Sequence, residues 1–205
     1  MNNPRVYTNV FLNAVRSNTG KTVRSRTVWE QNNRFIKCYL GDPVVLPSNV
    51  RYFKHTYGGV EAGFAAVVDI INTLDPGLIE YWAYRDNYYM EFHSPRVSKS
   101  YELHSPELIN AVGGIESYVE YFIRTVRSRK HVLGDLFFAD YHRENVFVQS
   151  DLSWTCVDYD EIFCYGTDMG ADFVMDRIRY KFLGSYDLTK HYETEYLQEL
   201  WQNYV

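Results

Sequence analysis

Runs of β-branched and aromatic residues separated by short polar turns predict an antiparallel sheet in the first part of the chain. Such runs occupy residues 6–16, 22–30 and 34–40, and the turns at 17–21 and 31–33 are rich in Asn, Ser and Gly. Connections this short join neighbouring antiparallel strands. Two further strand-like runs follow at 78–84 and 88–93.

Apolar residues at helical spacing predict helices between and after these strands. The segment 60–74 places its large apolar residues on one side, and 115–129 repeats the pattern. Ser105 followed by Pro106 is typical of a helix start. Two more helices are predicted at 171–182 and 189–201. The mixture of an antiparallel sheet with separate helices indicates the α+β class.

The segment 131–160 has a different pattern, which predicts strand, polar loop, strand, turn and strand. Residues 132–138, 145–149 and 154–158 are the strand-like runs, the charged loop covers 140–144, and the turn covers 150–153. Asp140, Asn145 and Asp158 stand at the ends of these runs. A hairpin closed by the turn brings Asn145 and Asp158 together at its open end, with Asp140 at the mouth of the adjoining loop.

These three residues suit phosphoryl transfer. Two oxygen ligands, from Asn145 and Asp158, predict a binding site for a hard cation such as Mg²⁺. This ion commonly shares its ligand shell with substrate phosphates. A third carboxylate, Asp140, held off the metal, can orient a hydroxyl and accept its proton. Positioning and charge neutralisation carry most of the catalysis in this kind of reaction.

The acidic composition argues against one class of binding partner. The formal net charge is −5 and the pI about 5.7, which argues against nucleic-acid binding driven by overall charge. A basic cluster at residues 124–130 is interpreted as the solvated end of a helix, where cations complement the helix dipole.

The cysteines and the absence of long apolar segments favour a soluble, cytoplasmic protein. Cys38, Cys156 and Cys164 lack the spacing of a metal cage or a disulfide framework, so buried free thiols are expected. No stretch approaches the length of a membrane span, and the first ten residues lack the apolar core of a signal peptide.

Two motifs in the 131–160 segment resemble those of the protein-kinase-like superfamily. Residues 140–145 match its catalytic loop, D-x-x-x-x-N, and residues 157–160, Val-Asp-Tyr-Asp, are similar to its metal-binding motif. The separations of five and thirteen residues agree with the family. The resemblance implies that Asp140 is the catalytic base and that Asn145 and Asp158 bind Mg²⁺. It also implies that Asp160 supports these metal ligands without contacting the metal itself.

Details of the motifs resemble the small-molecule kinases most. His142 occupies the third position of the loop, and D-x-H-x-x-N followed by D-[FY]-[DE] is similar to aminoglycoside phosphotransferases, choline kinases and lipopolysaccharide kinases. Two positions depart from the protein kinases, because Phe138 replaces the usual His and no Gly follows Tyr159. A register that makes Asp135 catalytic fails, since it requires Asn at position 140.

The predicted strand at 34–40 contains a lysine with apolar neighbours in alternation. Lys37 shares a face with Phe35 and Tyr39, and a lysine against an apolar wall needs an anion. By resemblance, Lys37 holds the α- and β-phosphates of ATP and pairs with a helical glutamate. Glu61, in the first turn of the predicted helix, is the first choice for that partner, and Glu80 is the weaker alternative.

The resemblance assigns two more nucleotide contacts. The turn containing Gly20 would cover the phosphates, although a single glycine stands where kinases often carry several. The segment 89–93 is similar to the family hinge, so the backbone of Glu91 and Phe92 would pair with the adenine edge.

The expected architecture is a minimal two-lobed kinase-like fold. Residues 1–93 would form the N-lobe, with a sheet and a helix, and residues 94–205 a short, mostly helical C-lobe. The implied activity is Mg-dependent transfer of the ATP γ-phosphate to a hydroxyl, with a lean towards a sugar, glycolipid or other small molecule. A protein Ser/Thr kinase, an inactive pseudokinase that binds a protein partner, and an unrelated α+β protein with a chance motif are the alternatives.

Overall fold

The chain divides into two compact units, each built from helices and antiparallel strands. The computed structural model describes residues 5–8, 24–41, 45, 47–85, 89–136, 138–159 and 162–163. The first unit comprises residues 1–96 with 163–166, and the second comprises 97–162 with 167–205. The predicted α+β class is confirmed.

A five-stranded antiparallel sheet forms the first unit. Its strands are β1 (Arg5–Thr8), β2 (Arg24–Gln31), β3 (Arg34–Gly41), β4 (Tyr81–Arg85) and β5 (Tyr89–Pro95). Their order is β1-β2-β3-β5-β4, so β5 is an internal strand with a partner on each side. Asn32 and Asn33 turn between β2 and β3 with positive φ angles, which asparagine tolerates. The predicted turn at 17–21 lies outside the described residues.

Two helices accompany this sheet, α1 (Pro47–Tyr57) and α2 (Val60–Leu74). The predicted bounds of α2 are confirmed, and its apolar stripe is buried. The ring of Phe64, at the centre of that stripe, stacks on Phe92 of β5 with 5.2 Å between ring centroids. Phe163 contacts both of these rings. The core of the first unit therefore lies between α2 and one face of the sheet.

Two helices and a three-stranded sheet make up the described part of the second unit. The elements are β6 (Tyr101–Glu102), α3 (Pro106–Ala111), α4 (Ile115–Leu133), β7 (Val146–Val148) and β8 (Trp154–Cys156), and the sheet order is β6-β7-β8. Ser105 caps α3 as predicted, because its hydroxyl accepts a hydrogen bond from the Leu108 N–H over 3.2 Å. The predicted helices at 171–182 and 189–201 lie outside the described residues.

The strand predicted at 132–138 is wrong. Helix α4 continues to Leu133, whose side chain is buried and extends the apolar face of the helix. Gly134, with a φ of 59°, ends the helix. The ammonium of Lys130 then donates to the carbonyls of Gly134 and Leu136, at 2.5 and 3.1 Å. Helical continuation buries Leu133, and this outweighs the strand preference of the short apolar run.

None of the helices that the structure describes is both long and apolar enough to cross a membrane.

Candidate functional site

The loop from Asp140 to Asn145 is closed by its own hydrogen bonds. The side-chain amide of Asn145 donates to Asp140 Oδ2 over 2.7 Å. The His142 N–H donates to the Asp140 carbonyl over 3.2 Å, and the His142 carbonyl accepts from the N–H groups of Asn145 and Val146, each at 2.9 Å. These bonds hold the catalytic-loop residues predicted from the sequence in one compact turn.

The imidazole of His142 also approaches the Asp140 carboxylate. Its Nδ1 accepts a hydrogen bond from the Glu144 N–H over 3.2 Å, so the neutral ring carries its proton on Nε2. That Nε2 lies 3.5 Å from Asp140 Oδ2, the same oxygen that Asn145 contacts. The side chains of His142 and Asp140 are 26% and 25% exposed, so both are accessible to solvent.

The hairpin of β7 and β8 brings Asp158 next to this loop. The strands pair in antiparallel register, and the Val157 N–H donates to the Asn145 carbonyl over 2.9 Å. Asp158 follows directly and is half-buried. The main chains of Asn145 and Asp158 are therefore neighbours, as the predicted hairpin requires.

Asn145 and Asp158 are the residues at this hairpin end whose side-chain oxygens could hold Mg²⁺. The Asn145 amide nitrogen is directed at Asp140, so its oxygen lies on the opposite side of the amide group. Within the described part of the chain, no three His, Cys, Asp or Glu side chains form a group that could hold a metal ion. Mg²⁺ sites of one or two protein ligands completed by phosphates do not need such a group. Asp160 lies outside the described residues.

The sequence interpretation does not identify Arg129 as a buried residue. Arg129 was assigned to a solvated helix end, but its side chain is buried, and it donates hydrogen bonds to the Tyr159 hydroxyl and to the Trp154 carbonyl. The helical spacing contained the signal, since Arg129 lies three residues after Val126 and seven after Phe122, both on the apolar face of α4.

Lys37 lies on the sheet face that α2 covers. It is directly opposite Phe92 in the register of β3 and β5, and Phe92 stacks on Phe64 of α2. The side chain of Lys37 is half-buried, in keeping with the apolar surroundings expected for it. Glu61 is exposed in the first turn of α2, and no ion pair between Glu61 and Lys37 is seen among the described residues. Their pairing stays a prediction.

The remaining candidate partner for Lys37 is engaged elsewhere. The Glu80 carboxylate forms an ion pair with the Arg34 guanidinium. Gly20 lies outside the described residues, so its proposed phosphate contact also stays a prediction.

The hinge assignment of Glu91 and Phe92 does not fit their position. Both residues lie inside β5, where each is paired with a residue of β3 on one side and of β4 on the other. Their backbone hydrogen-bonding groups are directed at these two strands and leave no edge for an adenine.

The side chain of Glu91 belongs to a polar group on the sheet. Its carboxylate contacts the Cys38 thiol, at 3.6 Å, and the His93 imidazole. Burial, together with this carboxylate, raises the pKa of Cys38 to about 12. Cys38 and Cys156 are both buried thiols outside any disulfide, as predicted, and Cys164 lies outside the described residues.

Comparison with protein families and with curated proteins finds no match to this chain.

Proposed function

We propose that the protein is an ATP-dependent, Mg-dependent phosphotransferase that moves the γ-phosphate to a hydroxyl acceptor. The observation that carries this proposal is the loop and hairpin of the second unit. Asn145 donates through its amide nitrogen to Asp140 and accepts through its backbone carbonyl from Val157, next to Asp158. One asparagine therefore ties the proposed base to the proposed metal ligand.

Asp140 would orient the acceptor hydroxyl and accept its proton. The acceptor oxygen forms a bond to the γ-phosphorus, the bond from that phosphorus to the β–γ bridging oxygen breaks, and ADP leaves with the electron pair. The proton passes to the Asp140 carboxylate. The contacts of Asn145 and His142 with Oδ2 orient this carboxylate before the acceptor arrives.

Asn145 and Asp158 would hold Mg²⁺ through their side-chain oxygens. When bound, the ion neutralises charge on the transferring phosphates. By the motif resemblance, Lys37, which is half-buried in β3, would contact the α- and β-phosphates of ATP. A cytoplasmic location, where ATP is available, goes with this proposal.

The coarse architecture supports the same proposal. A five-stranded antiparallel sheet with helices comes first in the chain, and a unit with a long helix, a polar loop and a hairpin follows. This is the sequence of elements that the motif resemblance implies for a kinase-like fold. The fold alone does not specify an activity, so the argument rests on Asp140, Asn145 and Asp158.

The acceptor is proposed to be a sugar, glycolipid or other small molecule rather than a protein side chain. The basis is His142, which is accessible beside Asp140 and occupies the position where protein Ser/Thr kinases usually carry lysine. An imidazole with its proton on Nε2 can donate that single hydrogen bond either to Asp140 or to a polar group of the acceptor.

A pseudokinase that binds a protein partner is the second candidate. The observation in its favour is the exposure of Glu61 in the first turn of α2, since a helical glutamate that fixes a phosphate-binding lysine needs contact with that lysine. Nucleotide binding separates the candidates, because a binding module needs no Mg-dependent site for ATP.

The proposal is tested by thermal unfolding with ATP, in the presence and absence of Mg²⁺. A ligand that binds the native state raises the melting temperature by mass action. We expect a Mg-dependent rise for the wild type that Asp158→Ala abolishes. Asp151→Ala is the matched control, since Asp151 is an exposed acid in the turn of the same hairpin and should leave the rise unchanged. No rise in the wild type would favour the pseudokinase.

A further inference from the structure

Arg129 of α4 contacts the chain before and after Asp158. The guanidinium donates to the Trp154 carbonyl, at the start of β8, over 3.5 Å, and to the Tyr159 hydroxyl, just past Asp158. Arg129 and Tyr159 are 6% and 5% exposed. A buried guanidinium and a buried phenol both require polar partners, and Arg129 and Tyr159 are hydrogen-bonded to each other.

Asp158 lies between two residues that are each held in place. On one side, the Val157 N–H is bonded to the Asn145 carbonyl at 2.9 Å. On the other side, the Tyr159 hydroxyl is bonded to Arg129. The direction of the Asp158 side chain depends on the main-chain positions of Val157 and Tyr159. The bond from Arg129 to the Tyr159 hydroxyl helps to fix the second of these positions.

The ring of Tyr159 extends this connection towards Asp140. It packs on Phe138, with 4.8 Å between ring centroids and 34° between ring planes. Phe138 packs edge-on against Tyr141 at the same centroid distance. These two aromatic residues flank Asp140 in sequence, and both are almost fully buried. Tyr159 therefore packs against the segment that carries Asp140.

We propose that Arg129 is a positioning residue for Asp158 and acts through Tyr159. The inference rests on the proposed function, because the role of Asp158 in holding Mg²⁺ makes its position matter. Arg129 contacts neither substrate nor metal in this assignment. Its contribution is to keep Tyr159, and with it the proposed metal ligand, in one orientation before Mg²⁺ and nucleotide bind.

Two variants break the bond from opposite ends. Tyr159→Phe removes only the hydroxyl and keeps the ring that packs on Phe138. Arg129→Met removes the donor and keeps an apolar chain about as long as the aliphatic part of arginine. The readout is the Mg²⁺ concentration that gives half of the ATP-dependent rise in melting temperature. We expect each variant to raise it roughly tenfold, as mutations behind metal ligands do. The double variant should add little, because both changes remove the same bond.

Tyr121→Phe is the matched control for a general loss of stability. The Tyr121 hydroxyl is also part of a buried network in the second unit, since it donates to the Leu152 carbonyl over 2.8 Å and accepts from the Trp154 indole. Its removal should lower the melting temperature without ligand, and the Mg²⁺ requirement should stay at the wild-type value.

The outcomes separate the inference from the proposed function. If wild type shows no Mg-dependent rise with ATP, the proposed function fails and the inference falls with it. If wild type shows the rise and Tyr159→Phe has the same Mg²⁺ requirement, or Tyr121→Phe shifts it equally, the positioning role alone is overturned. Amide hydrogen exchange of ligand-free protein adds a second readout, in which Tyr159→Phe should accelerate exchange at Val157 and Asp158. Unchanged exchange there would also overturn the role.

Discussion

The side-chain amide of Asn145 donates a hydrogen bond of 2.7 Å to the carboxylate of Asp140. The two ends of this amide have different chemistry, because the nitrogen can only donate and the oxygen can only accept. With the nitrogen committed to Asp140, the oxygen is the end that remains to ligate a cation. A substitution that keeps the oxygen but removes the donor separates the two roles.

Asn145→Asp is expected to destabilise the protein without Mg²⁺ and to respond more strongly to it. The new carboxylate cannot donate to Asp140 and repels it, which should cost about 1 to 3 kcal/mol. A divalent cation relieves this repulsion, so Mg²⁺ should raise the melting temperature of the variant more than that of wild type. Asn145→Ala, which has neither group, should show no such recovery. Equal responses of Asn145→Asp and wild type to Mg²⁺ would contradict the assignment of Asn145.

A buried histidine should make the second unit sensitive to acid. His104 is 8% exposed, its Nδ1 lies 2.7 Å from the Tyr118 hydroxyl, and burial lowers its pKa to about 3. The unfolded chain has an ordinary histidine pKa of about 6.5 and takes up a proton first. The stabilisation due to neutral His104 is therefore complete above that pH and is lost progressively as the pH falls towards 3, by about 1.4 kcal/mol per pH unit.

His104→Asn isolates this contribution, since asparagine tolerates the positive φ of 66° at this position. Urea unfolding of both proteins between neutral pH and about pH 4.5 should show a shallower loss of stability in the variant. Parallel pH profiles would indicate that other groups dominate the acid response.

Cys38 should be unreactive in the native protein. Its pKa is raised to about 12, first by burial and then by the carboxylate of Glu91, so the thiolate fraction near neutral pH is about a thousandfold below that of a free thiol. Iodoacetamide labelling, measured in a Cys156→Ala/Cys164→Ala background, should be slow until urea unfolds the chain. Glu91→Gln should accelerate it only modestly, because burial is the larger cause. A native labelling rate within tenfold of the unfolded rate would contradict this environment.

The spacing of apolar residues along the chain predicts correctly those elements that bury a single face. Helix α2 has one apolar stripe, and its predicted and observed bounds agree. The hairpin at Val146–Cys156 follows from strand formers around the turn that Asp151 and Ser153 stabilise. The loop from Asp140 to Asn145 could be located for the same reason, since its polar residues interrupt two apolar segments.

The features that the sequence does not predict correctly depend on contacts between distant parts of the chain. The apolar run at 132–138 fits a strand or a helix end equally well, and the packing of Leu133 on the α4 face selects the helix. Whether β5 is an edge or an internal strand depends on the order of strands, so the pairing of Glu91 on both sides is not visible locally. The burial of Arg129 is hard to predict because basic residues surround it in the sequence, although its helical spacing places it on the buried face.

The most direct test of the proposed function is transfer of a labelled γ-phosphate from ATP to a panel of acceptors, with sugars first, then glycolipids, amino alcohols and a Ser/Thr protein substrate. Asp140→Asn should lower transfer by about 10² to 10⁴-fold, because the amide cannot accept the proton of the hydroxyl. It should retain most of the Mg-dependent ATP stabilisation, since Asp140 is not a proposed metal ligand.

Asp135→Asn is the matched control, because Asp135 is an exposed acid five residues earlier and the alternative choice for the catalytic position. We predict wild-type transfer for Asp135→Asn and almost none for Asp140→Asn. Wild-type transfer by Asp140→Asn, or no transfer by the wild type to any acceptor in the panel, would contradict the proposed function.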